Sequence, residues 1–168
     1  MTGPRWLDHD EQRAWRAYRR MRLLLDARIA RDLHAESGLS APDYDVMSNL
    51  SESEAHRLRV TDLATRLQWS KSRLSHHLSR MEQRGLVRRE DCSSDARGAF
   101  IALTGEGFGT IKAAAPGHVE SVRRHFIDVL TPEQLDALTT ISDTVVAKLS
   151  EPSVADGSRP APKPEVAD

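Results

Sequence analysis

The chain has 168 residues, 39% hydrophobic and 29% charged, which indicates one soluble, helix-rich domain with a large polar surface. No apolar run approaches the ~20 residues of a membrane helix and no signal-peptide core opens the chain, so a cytoplasmic protein without a membrane partner is expected. Net charge is −1, yet residues 57–97 hold ten Lys/Arg against five Asp/Glu and stand at +5, leaving −6 for the remainder. Positive charge is thus focused on one segment, as a phosphate-binding surface requires.

Residues 1–9 read as a flexible lead-in containing Gly3-Pro4. A long helical pattern follows from Asp10 to Glu36, with Trp15, Tyr18, Leu25, Ile29 and Leu33 recurring at threes and fours and Gly38 beyond its end. A stripe of this length needs a partner to cover it. Ser40 and Pro42 start a second helix carrying Tyr44, Val46, Met47 and Leu50, which ends near Ser51. A polar connector, Ser51–His56, leads to a brief extended element at Leu58–Val60.

Thr61–Gly85 organises the rest of the chain. It reads as two short helices joined by a tight turn at Gln68-Trp69, the first capped by Thr61 and carrying Leu63, Ala64 and Leu67. The second has Ser70 as N-cap, an apolar seam of Leu74, Leu78 and Met81, and Gly85 at its end. Its opposite face shows Arg73, His76, His77, Arg80 and Arg84, with Lys71, Ser72 and Ser75 near the start. A helix–turn–helix presents its second helix to the DNA major groove in this way. Two extended runs follow, one beginning at Leu86-Val87 and one at Ala99–Leu103, with a turn-forming segment at 91–98 between them. They make a hairpin with Arg88, Arg89 and Arg97 around its tip. Cys92, the single cysteine, sits there too and excludes an internal disulfide or a CxxC pair.

Thr104 caps a further long helix reaching about Leu130, in which Pro116-Gly117 implies a bend or two consecutive helices. Thr131-Pro132-Glu133 starts the last helix, with Leu135, Leu138, Ile141, Val145 and Leu149 as its stripe. From Ser150 the proline-rich composition cannot bury a core, and residues 150–168 are expected to be a disordered tail.

In order and spacing, several pieces resemble the MarR family of winged helix–turn–helix bacterial transcription regulators. They are Leu58–Ala64, Lys71-Ser72 with Leu74, Arg80-Met81-Glu82, Gly85-Leu86-Val87-Arg88, Asp95, Arg97, and Leu103-Thr104 followed by Gly107. The resemblance spans roughly residues 10–149. It implies a mainly α fold with a small β-wing: a winged helix–turn–helix module over 40–103, and dimerisation helices over 10–36 and 104–149. It further implies a homodimer that binds a pseudo-palindromic operator in double-stranded DNA, usually as a repressor, and is released by a small, often aromatic or phenolic effector.

The expected DNA-binding residues are Ser70, Lys71, Ser72, Arg73, Ser75, His76, His77 and Arg80 on the recognition helix, with Arg88, Asp95 and Arg97 in the wing. Arg73 and Arg80 suit guanine or phosphate, because a guanidinium is bidentate and permanently charged. Asp95 would orient Arg97 toward the minor groove. Trp15, Tyr18, Arg22, Tyr44 and Met47 lie on segments that could line an effector cleft. No Walker loop, Gly-x-Ser-x-Gly, His-Glu-x-x-His or Rossmann glycine pattern is present, so no enzyme and no cofactor are expected. Two alternatives stay open. One is a metal- or redox-responsive regulator of the same fold, using His34, His118 and His125 or Cys92; the other is a protein-interaction module that does not bind DNA.

Overall fold

The computed structural model describes residues 3–91 and 99–151. It consists of α1 (His9–Ser37), α2 (Ala41–Ser51), β1 (Arg57–Arg59), α3 (Val60–Leu67), α4 (Lys71–Gln83), β2 (Val87–Asp91), β3 (Ala99–Leu103), α5 (Gly105–His125) and α6 (Pro132–Ser150). Two compact units divide the chain, one ending at Val129 and the other beginning at Leu130.

Helix boundaries follow local chemistry. Asp8 caps α1 with a capping box to Glu11, and Gly38 ends it in the left-handed region at φ 70°. The expected loose lead-in is therefore partly fastened, since Asp8 already belongs to the cap and Arg5 pairs with Glu11. Ser40 caps α2, and its reciprocal partner is Asp43. Thr61 is not the cap of α3: that helix starts one residue earlier, at Val60, and the Thr61 hydroxyl donates to Asp62. Helix α5 runs unbroken through Pro116 rather than dividing there. It ends at His125, ahead of a short turn at Ile127–Val129. Its hold on α1 accounts for the continuity. Ser121 Oγ donates to Asp32 at 2.9 Å, His125 Nε2 lies 2.7 Å from the same carboxylate, and Gly117 leaves room for Glu36. Helix α6 carries the C-terminal run one residue past the expected boundary, to Ser150, while residues 152–168 lie outside the described part.

The sheet is antiparallel in the order β1-β3-β2, with Arg59 opposite Phe100 and Glu90 opposite Phe100 on the other side. The core gathers Leu33 of α1, Val46, Met47 and Leu50 of α2, Leu63 of α3, Leu74, Leu78 and Met81 of α4, Ile101 of β3 and Ile111 of α5. Burying each of these contributes about 2 kcal/mol relative to exposure. By contrast, α6 has no buried residue, and Ile141, Val145 and Leu149 form an uncovered apolar line along it.

The start of α5 is docked on the junction between α4 and β2. Thr104 Oγ1 donates to the Gly85 carbonyl at 2.6 Å and accepts from Gly107 N at 2.9 Å. A Cβ at Gly107 would lie 1.9 Å from the Leu86 carbonyl oxygen, which is backbone and cannot swing away. Gly107→Ala is therefore expected to cost about 3 kcal/mol in urea denaturation. Gly109→Ala, two residues along the same helix and facing open space, should instead gain up to about 1 kcal/mol of helix propensity.

Candidate nucleic-acid interface

Helix α4 has a sealed side and an open side. Leu74, Leu78 and Met81 are fully enclosed, and His77 joins them at 8% exposure. Lys71, Ser72, Arg73, Ser75, His76 and Arg80 are exposed, and Ser70 caps the helix by accepting from Arg73 N at 3.2 Å. The preceding turn depends on Gln68 in the left-handed region, at φ 53°, which lets Trp69 N donate back to the Ala64 carbonyl at 3.0 Å.

His77 corrects the expectation of an exposed reader of base edges. It stands three residues after Leu74 and four before Met81, a spacing that already assigns it to the apolar side. Its Nε2 lies 3.1 Å from Asp43 Oδ1 and its Nδ1 3.2 Å from Arg80 Nη2. Arginine can only donate, so Nδ1 accepts and the neutral ring carries its proton on Nε2, close to Asp43 but not in line for a hydrogen bond with it. Asp43 accepts from Arg84 Nη1 at 2.8 Å and from Ser40 N at 3.2 Å. Burial alone would raise the Asp43 carboxyl, but the bonds from Arg84 and Ser40 outweigh it and hold the group below its ordinary value. Burial pushes His77 down, opposed by Asp43 and reinforced by Arg80 and Arg84. Sequence reasoning missed Asp43, although a Ser-x-x-Asp at a helix start was its visible signal.

The basic residues sort by partner. Arg84 is paired with Asp43, Arg88 with Glu90 at 2.6 Å and with the Leu103 carbonyl, and Arg89 with Glu82 at 3.0 Å. Arg73 differs from them. Its guanidinium carbon lies 4.0 Å from the Trp69 ring centroid, and among the described residues no acceptor takes up its N–H donors. Arg88 thus reaches back along the sheet instead of standing free at the tip. Asp95, Arg97 and Cys92 lie outside the described residues.

The five expected effector residues lie on α1 and α2. Trp15 and Tyr18 stack on each other at 5.8 Å and are about half exposed on α1, where Arg22 is exposed as well. Tyr44 packs on His118 of α5 at 4.2 Å. Met47 has no exposure at all and is part of the core, which corrects its assignment to a cleft wall. A cavity of about 590 Å³ opens elsewhere, between Glu52, Arg57, Arg66 and Phe100. His118 is pushed down by burial, with Asp45 opposing, and its Nδ1 is enclosed without a partner. Among the described residues no group of three or more His, Cys, Asp or Glu is assembled for a metal, and His125 is engaged by Asp32. No helix among them is long and apolar enough to cross a membrane.

Because His77 and His118 both bind protons less readily in the fold than in the open chain, the unfolded state takes up more protons as pH falls through about 6.5. Stability should therefore drop between pH 7.5 and 5.5, read as a falling urea midpoint. The His77→Gln/His118→Gln double variant should show a flatter profile.

Comparison with known proteins agrees with this architecture. A sequence model of the MarR family matches residues 37–98. The transcriptional regulator HosA of Escherichia coli is 34% identical over 120 residues, covering 71% of this chain and 86% of HosA. Two crystal structures from Streptomyces coelicolor superpose closely. AbsC, a MarR family transcriptional regulator, is 49% identical with a TM-score of 0.83, over 87% of this chain and 98% of that one. Sco3205, a MarR family transcriptional regulator in complex with DNA, is 44% identical with a TM-score of 0.84, over 92% and 96%. With the helix–turn–helix, the three-stranded sheet and the flanking helices in place, this chain belongs to the MarR family of transcriptional regulators.

Proposed function

We propose that this regulator acts as a homodimeric repressor that reads a pseudo-palindromic operator in double-stranded DNA and is released by a small aromatic or phenolic effector. The observation that carries the reading is the division of α4. Its apolar side is sealed into the core, while Lys71, Ser72, Arg73 and His76 stand exposed at the end a recognition helix puts into the major groove. Sco3205, crystallised with DNA, supports the same partner here. Ser70, Ser72 and Ser75 suit phosphate; Arg73 and Arg80 suit guanine or phosphate. Arg97, oriented by Asp95, would reach the minor groove from the wing.

Dimerisation is supported by apolar side chains that the single chain leaves in water. Trp15, Tyr18, Met21 and Leu24 are exposed on α1, and Ile141, Val145, Val146 and Leu149 on α6. An apolar surface of this kind marks an interface. A two-fold partner covering it would hold two recognition helices one DNA turn apart. Tyr44 against His118, with the unpartnered Nδ1 of His118 enclosed beside them, supports an effector that supplies a ring and a polar atom.

Fluorescence anisotropy with duplex from upstream of the gene tests the reading. Arg73→Ala and Arg97→Ala should each weaken binding about tenfold or more, well beyond Arg13→Ala. Affinity should also fall steeply between 50 and 200 mM salt. Sedimentation should give twice the chain mass, and Ile141→Asp/Val145→Asp should lower that mass and abolish operator binding. A wild-type protein that ignores such duplexes at low salt would refute the reading.

A further inference from the structure

We infer that Trp69 is a positioning residue for Arg73, and that His77 and Asp43 hold Trp69 in turn. The recognition arginine would then be aimed by a ladder of side chains running down to the start of α2. This rests on the reading that α4 enters DNA.

The ladder is built from five contacts. Arg84 Nη1 and Asp43 Oδ2 are 2.8 Å apart. Asp43 Oδ1 is 3.1 Å from His77 Nε2. The His77 and Trp69 rings meet edge to face, with centroids 5.4 Å apart and planes at 89°. The face of Trp69 carries the Arg73 guanidinium at 4.0 Å. Finally, the Ser70 hydroxyl accepts from Arg73 N, so the turn grips both the backbone and the side chain of the same residue.

The chemistry suits a reader rather than a structural ion pair. A carboxylate partner would occupy the N–H donors of an arginine, as Glu82 does for Arg89. A ring contacts the guanidinium through its face and leaves the donors around the rim available for a base edge or phosphate. The side-chain entropy of Arg73 is then largely given up before DNA arrives, which lowers the ordering cost of binding. Trp69 is itself packed against the core cluster and its backbone is bonded to Ala64, so the platform does not drift.

A double-mutant cycle tests this. Trp69→Leu keeps apolar bulk and removes the ring; Trp69→Phe keeps a ring. In full-length protein shown by thermal melting to be folded, Trp69→Leu should weaken operator binding roughly three- to tenfold and reduce the preference for operator over random duplex. Trp69→Phe should recover most of both. Arg73→Ala should cost clearly less in the Trp69→Leu background than in the native one. Equal losses in the two backgrounds, or unchanged affinity in folded Trp69→Leu, would overturn the inference while leaving the DNA-binding reading intact. If Arg73→Ala has no effect at all, the reading of α4 fails and takes this inference with it. NMR of the wild-type protein adds a test that needs no variant. The Arg73 side-chain protons should show an upfield ring-current shift that persists on adding operator duplex, and its absence or its loss on binding overturns the inference.

Discussion

The buried carboxylate of Asp43 is the constraint on which the recognition helix depends. A charge withdrawn from water costs several kcal/mol unless it is paired and hydrogen-bonded. Here it is met by Arg84 from the end of α4, His77 from the middle of α4 and the backbone N–H of Ser40. Those partners give α4 a single seating. The apolar seam of Leu74, Leu78 and Met81 sets which face of α4 is buried, and the paired charge adds a directional constraint to that seating. One acidic side chain therefore serves as cap for α2 and as anchor for α4.

From that seating follows a division of labour among the arginines. Arg84 ties the end of α4 to α2 through Asp43, Arg88 pairs with Glu90 along β2, and Arg89 joins β2 to α4 through Glu82. Arg57 and Arg59 both lie 5.1 Å from the Phe100 ring centroid on the outer face of the sheet. Positive charge is thus concentrated in the 57–97 segment, but much of it is spent on architecture. The charge left on the exposed side of α4 is that of Lys71, Arg73 and Arg80. Two such heads on a dimer would double a modest local field, which suits recognition more than indiscriminate adhesion to nucleic acid.

The junction between α1 and α5 is arranged on the same principle. Asp32 is held below its ordinary value by His125 first and by Ser121 next, with Arg28 adding its charge. Polar stitching of this kind fixes how the two helices lie against each other.

Much of the fold was legible along the chain because caps and breakers act locally. Ser40, Ser70, Thr104, Thr131, Gly38 and Gly85 each end or start an element where their chemistry requires. The apolar run Ala99–Leu103 likewise marked a strand, and Leu58 a third one. Other features depended on what each residue meets across space. Pro116 reads as a bend or a division into two helices, and α5 continues undivided because its grip on α1 offsets one missing hydrogen bond. His77 reads as a surface residue because histidine is polar, and the Arg80 guanidinium on Nδ1 with Asp43 beside Nε2 makes its enclosure tolerable. Met47 looked like a wall of a cleft and is core. Arg73 and Arg84 are alike in a list of basic residues. The contact with a ring in one case and a carboxylate in the other decides which keeps its N–H donors available, because spacing along a helix sets only a residue's face, and packing sets its partner.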